Sequence, residues 1–131
     1  MSSPSERWFR TLFAVATIAV AAFILYQSTR SNGDPTVPDL TTNEAYAGHL
    51  AVYAVLGFCA QTALLSRRLQ TVLAVVAAAT LFGACIEVYQ STLEGREASA
   101  YDALADLAGA AIGAFVAFAI TPRWQRFLGQ P

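Results

Sequence analysis

Residues 8–26 read WFRTLFAVATIAVAAFILY, and no charged residue follows Arg10 until Arg30. As a helix rising 1.5 Å per residue, this stretch is roughly 28 Å long, close to the thickness of a bilayer's hydrocarbon core. A signal peptide is the alternative, because Arg7 and Arg10 accompany the start of the apolar run. The run is long for a signal peptide, and no clean small-x-small cleavage site follows it. The stretch therefore predicts an uncleaved transmembrane helix.

Three further apolar blocks follow, at residues 48–65, 69–89 and 103–120, with short polar segments between them. Hydrophobic residues make up 56% of the 131 residues and charged residues 13%, about half the charged share of an ordinary soluble domain. Such a chain cannot cover its apolar surface with polar side chains, so lipid is the expected solvent. We predict an all-α membrane protein, a four-helix transmembrane bundle with residues 1–131 as one domain, whose last helix ends before Pro122.

All eight cationic residues are arginines, and they are distributed unevenly among the polar segments. The first, third and fifth segments hold six of them, and the second and fourth hold two. Short cytoplasmic segments are enriched in cations, so we expect both the N-terminus and the C-terminus in the cytoplasm, in a multi-pass protein of the cell membrane. The net charge of −1 gives no indication of nucleic-acid binding.

The ionisable residues of the last three blocks fall at one depth, near the predicted outer boundary. His49 begins the second helix, Glu87 and Gln90 end the third, and Asp102 and Asp106 begin the fourth. A carboxylate facing lipid is costly, about 2.5–3.5 kcal/mol at mid-bilayer and less near the surface. We therefore expect these side chains to point inward and to find partners.

Helical spacing sharpens this expectation. At 100° per residue, Asp102, Asp106, Gly109 and Gly113 lie within about 60° of one another on the fourth helix. The Gly-x-x-x-Gly pair lets a neighbouring backbone approach closely, which turns the carboxylates toward other helices. Tyr53 shares a face with the histidine of the second helix. The predicted hydrogen-bonded cluster consists of His49, Glu87, Arg96, Asp102 and Asp106.

Three roles remain open for this cluster: a fold-stabilising network, a binding site for an external ligand or lipid headgroup, and a catalytic or metal site. In the catalytic alternative, His49 and Glu87 are the candidate acid–base pair and Arg96 binds an anion. Asp102 and Asp106 would then orient these groups or ligate a metal. The spacing matches no metal signature such as HExxH, so the sequence assigns neither a metal nor another cofactor.

At these residues the sequence resembles the VanZ-like family of small integral membrane proteins. The resemblance covers residues 48–113, and its motifs follow in order: His49-x-x-x-Tyr53-x-x-x-Gly57, Glu87-x-x-Gln90, Arg96 with Ser99 and Asp102, and Asp106-x-x-Gly109-x-x-x-Gly113. The family usually has asparagine at the position of Asp106. An aspartate there keeps a hydrogen-bond acceptor but loses the amide donor.

The resemblance implies a role at the cell envelope, since the family's namesake is associated with resistance to teicoplanin-type glycopeptide antibiotics. It supplies no biochemical mechanism. We expect a protein that contacts membrane lipid and binds an envelope lipid or glycopeptide ligand at its outer face. The alternative is a membrane-embedded enzyme that acts on an envelope lipid or glycan. A transporter is disfavoured because no charge lies near mid-membrane, and a homo-oligomer stays an open alternative.

Overall fold

The computed structural model of the chain describes residues 3–30, 42–92 and 99–129. These residues form four α-helices: α1 (Pro4–Ser28), α2 (Thr42–Leu64), α3 (Leu69–Gln90) and α4 (Ala100–Phe127). Each of them is long and apolar enough to cross a membrane. The prediction of an all-α protein with four membrane-crossing helices is therefore confirmed, while the assignment of residues 1–131 to one domain stays a prediction.

Large apolar side chains cover the outside of the bundle. Leu12, Ile18 and Leu81 are each about two-thirds exposed, and they belong to a much larger set of exposed leucine, isoleucine, valine and phenylalanine residues. A water-soluble monomer rarely presents so continuous an apolar surface. Lipid is the solvent that fits this surface, as expected for a multi-pass membrane protein.

The central pair of the bundle is α2 and α4, which share the largest interface. α1 packs mainly on α2, and α3 packs mainly on α4. Glycines bring the central helices into backbone contact: a β-carbon at Gly57 would overlap the carbonyl of Ala110, and one at Gly113 would overlap the carbonyl of Ala54. Because lipid tails are as apolar as the helices, such close packing is a main source of association in a membrane.

The second helix begins earlier than its apolar block. The apolar block begins at residue 48, whereas α2 begins at Thr42. The carboxylate of Glu44 lies in the first turn, where it interacts favourably with the positive end of the helix dipole. Hydropathy marks the part of a helix that lies in lipid, and it misses a polar first turn.

The predicted end of the fourth helix is wrong. Pro122 lies inside α4, which continues to Phe127. Proline removes one N–H and displaces the carbonyl four residues earlier, but membrane helices tolerate this when other groups compensate for the lost bond. The hydroxyl of Thr121, next to the proline, donates to the carbonyl of Ala117 at 2.9 Å, one residue before the Phe118 carbonyl that loses its helical partner. The arginines and the tryptophan that follow the proline are therefore helical.

The two ends of the bundle differ in chemistry. We call the end that carries His49 the histidine end and the opposite end the arginine end. At the arginine end, Arg10 Nε donates to the carbonyl of Ala63 at 3.1 Å, and Gln125 Nε2 donates to that of Leu65 at 3.1 Å. These bonds tie α1 and α4 to the last turn of α2. The arginines of this end are Arg7, Arg10, Arg67, Arg68, Arg123 and Arg126.

Candidate functional site

A histidine–aspartate pair joins the central helices at the histidine end. His49 Nδ1 lies 2.9 Å from Asp106 Oδ1. Because a carboxylate only accepts, Nδ1 donates the proton of this bond. The Asp106 side chain is 3% exposed, whereas that of His49 is 32% exposed. The pair is thus a buried carboxylate that holds a histidine whose ring reaches the surface.

Glycine packing explains how the pair forms. Gly109 lies nearly one turn after Asp106 on α4, and a β-carbon there would overlap the carbonyl of Leu50, the residue after His49. The α2 and α4 backbones are therefore in contact beside the pair. Because Gly109 has no side chain, the two helices come close enough for a histidine on one and an aspartate on the other to form a hydrogen bond.

The third helix completes the surroundings of the carboxylate. The hydroxyl of Tyr53, which is 1% exposed, faces Asp106. Both groups lie against Gly83 of α3, where an added β-carbon would stand 3.0 Å from the tyrosine oxygen and still closer to Asp106 Oδ2. The absence of a side chain at Gly83 therefore leaves room for these two polar groups.

Glu87 is buried and has a different partner. Its Oε2 accepts a hydrogen bond from the backbone N–H of Ser99 at 2.9 Å. Ser99 is the N-cap of α4, and its hydroxyl accepts from the backbone N–H of Asp102 at 3.2 Å. Glu87 therefore ties the end of α3 to the start of α4. Glu87 and Asp102 lie within electrostatic range of His49 without a direct hydrogen bond to it among the described residues.

Gln90 belongs to a separate contact. Its side-chain amide donates to the backbone carbonyl of Ser28 at 3.4 Å, which links α3 to the end of α1. The described members of the predicted cluster thus make two separate contacts, His49 with Asp106 and Glu87 with Ser99, and not one continuous network. Arg96 lies outside the described residues. The functional role of all these residues stays a prediction.

Sequence reasoning missed Tyr101, and it named Ser99 only as part of the family motif, without a partner. The backbone N–H of Ser99 donates to the Glu87 carboxylate, and a Ser-x-x-Asp pattern before an apolar run is a recognisable helix-start signal. The rings of Tyr46 on α2 and Tyr101 on α4 pack with their centroids 6.0 Å apart. No spacing rule joins these tyrosines, because they belong to helices that are distant in the chain.

Residues 7–121 match the VanZ/LLP1 family. The matched range reaches from the first turn of α1 into α4 and includes both members of the histidine–aspartate pair. The chain belongs to the VanZ/LLP1 family. The resemblance noted from its motifs is therefore confirmed and extends over most of the chain. No curated protein and no solved structure matches it.

In this VanZ/LLP1 protein, the chemistry available at the site is that of an oriented imidazole. With Nδ1 donating to Asp106, Nε2 of the neutral ring is a hydrogen-bond acceptor, and after protonation it becomes a donor. Among the described residues, no group of three histidine, cysteine or acidic side chains is arranged to hold a metal ion. The site can accept a hydrogen bond from a hydroxyl or an amine, and it can accept a proton.

Proposed function

We propose that this VanZ/LLP1 protein lies in the cell membrane and binds an envelope lipid or glycopeptide ligand at its outer face through His49. The observation that carries the proposal is the 2.9 Å bond between His49 and the buried Asp106. A carboxylate that is almost fully buried has lost most of its hydration, and its hydrogen bond to the imidazole offsets part of that loss. The same bond fixes the direction of the exposed part of the ring.

The orientation of the chain is part of this proposal. Six of the eight arginines belong to the segments at the arginine end, and two belong to the others. The positive-inside tendency supports a cytoplasmic position for that end and for both termini. His49 would then meet ligands from outside the cell. Such a site would serve to control the access of teicoplanin-type antibiotics to the cell envelope.

A second candidate function is catalysis on an envelope lipid or glycan. The observation that favours it is the partner of Nδ1, because a buried carboxylate on one ring nitrogen leaves the other to act as a general base. His49 would take the proton, and Asp106 would hold the ring and stabilise its charged form. Glu87 is a weaker acid–base candidate, since one of its oxygens is engaged by the Ser99 backbone.

Exchange of Asp106 for asparagine separates the two functions. The amide oxygen of Asp106→Asn can still accept from Nδ1, so a binding function should persist at normal protein abundance. A catalytic function should fall steeply, because loss of the carboxylate that holds the histidine of a serine-protease triad reduces turnover about 10⁴-fold. Asp102→Asn is the matched control, since it removes the same charge one turn away, where no direct bond to His49 exists.

The assay is teicoplanin susceptibility of cells that express each variant, with abundance measured in parallel. His49→Ala should abolish the effect of the protein even after correction for any loss of abundance, which is expected because the buried Asp106 loses its partner. If His49→Ala retains the full effect, both functions are wrong. If abundance falls together with the effect in every variant, the pair only stabilises the fold.

A further inference from the structure

The arginine end carries more positive charge than its surroundings neutralise. All six arginines of this end are exposed. Within residues 3–30, 42–92 and 99–129, only Arg10 among them has an acidic partner, since its guanidinium lies 3.5 Å from Glu6. Five cations at one end of the bundle therefore lack a carboxylate from the described part of the chain.

A cleft on α1 brings one of these cations together with other binding groups. It has a volume of about 260 Å³ and is lined by Pro4, Arg7, Trp8 and Thr11. These residues occupy positions i, i+3, i+4 and i+7, so they form one face of the first two helical turns. Trp8 is 76% exposed, and its indole forms an apolar wall beside a guanidinium and a hydroxyl.

The depth of the cleft matches the headgroup layer of a bilayer. The uncharged run of α1 extends from residue 11 to residue 29 and occupies the hydrocarbon, so the cleft lies at its boundary. Indole rings are favoured at this level, and cations next to it attract anionic lipids. A guanidinium can also bind a phosphate group through two parallel hydrogen bonds.

We propose that this cleft binds the headgroup of an anionic phospholipid. Arg7 holds the phosphate, Thr11 donates its hydroxyl proton to a headgroup oxygen, and Trp8 packs along the glycerol and the first acyl carbons. The site is independent of the His49 site and of the proposed function.

The test measures lipid binding by the purified full-length protein. Protein reconstituted in phosphatidylcholine nanodiscs containing a small fraction of phosphatidylglycerol is released into the gas phase, and the retained lipids are identified by native mass spectrometry. Wild-type protein should retain phosphatidylglycerol in preference to phosphatidylcholine. Arg7→Gln should reduce this preference about tenfold, the factor for losing one hydrogen bond to a charged group. Arg126→Gln, which removes an exposed cation of the same end from another helix, should leave it nearly unchanged.

Three results would overturn the proposal. Equal retention of the two lipids by wild-type protein would exclude selective binding. An equal loss in Arg7→Gln and Arg126→Gln would show that charge acts diffusely over the whole end. Competition by millimolar inorganic phosphate would show a site for a soluble anion. Circular dichroism of both variants distinguishes loss of lipid binding from loss of helix. Thr11→Val keeps all charges and should weaken the retention of phosphatidylglycerol even if Arg7→Gln does not fold.

Discussion

Replacing Gly113 by alanine adds a methyl group where α2 and α4 are closest. The new β-carbon would lie 2.7 Å from the carbonyl carbon of Ala54 and 2.8 Å from the backbone nitrogen of Phe58, and its nearest neighbour would be the Ala54 carbonyl oxygen. All three are backbone atoms, so no side-chain rotation can relieve the overlap. To restore an ordinary contact of roughly 3.5 Å with that oxygen, the helices must separate locally by about 1.5 Å.

The cost of this separation can be bounded. Overpacking of a well-packed interior typically costs about 1–3 kcal/mol, and Gly113→Ala belongs in the upper part of that range because the obstacle is backbone. The small favourable change in helix propensity, about 1 kcal/mol for glycine to alanine, offsets part of the cost. We therefore expect a net loss of about 1–2 kcal/mol in the free energy of unfolding.

The assay is reversible unfolding in mixed detergent micelles, followed by circular dichroism, with Gly48→Ala as the matched control. Gly48 is also helical, but a β-carbon there meets nothing within 4 Å. The control should be neutral or slightly stabilising. If Gly113→Ala is as stable as Gly48→Ala, the α2–α4 interface is not held by close backbone packing, and the explanation given for the His49–Asp106 contact fails with it.

Other substitutions test other parts of the structure. Gly83→Ala should change the free energy of unfolding by less than about 1 kcal/mol relative to the wild type, because the atoms it would meet are the ends of side chains that can move. It should nevertheless reduce the teicoplanin effect as strongly as His49→Ala. An unchanged effect would show that α3 is not part of the site. The Pro122→Ala variant should be as stable as the wild type or more stable, since the substitution restores a helical hydrogen bond inside α4. A loss of helix content measured by circular dichroism would contradict the description of α4 as one continuous helix. In a cysteine-free background, Asp34→Cys should react with a membrane-impermeant maleimide in intact cells and Arg68→Cys should not; the reverse pattern would invert the proposed orientation.

Hydrophobicity predicted the number and approximate extent of the helices, because a span in lipid requires about 20 apolar residues whatever its neighbours are. It failed at the polar ends of helices. Thr42 begins α2 and Phe127 ends α4 outside the apolar blocks, and Pro122 was given more weight than it has inside a membrane helix. Helix ends depend on capping groups and tertiary contacts, which hydropathy does not describe.

Helical periodicity predicted which residues share a face, but not which partner each would meet. The inward face of α4 follows from its glycines, and the structure brings His49 to Asp106 there. Glu87 lies at the expected depth, yet its bond goes to the Ser99 backbone, and Gln90 bonds to the end of α1. Choosing among these partners requires the rotation of each helix about its own axis, and one sequence does not fix that rotation.

The backbone contact between α2 and α4 has a consequence for how the protein responds to different bilayers. Membranes differ in thickness, and helices adapt to them mainly by tilting or by sliding against their neighbours. Helices held by interlocking side chains can slide through small rotamer changes, whereas main-chain contact at Gly57 and Gly113 leaves little such freedom. α2 and α4 would therefore tilt as one rigid unit, and the histidine and its carboxylate would keep their separation in thin and thick membranes alike.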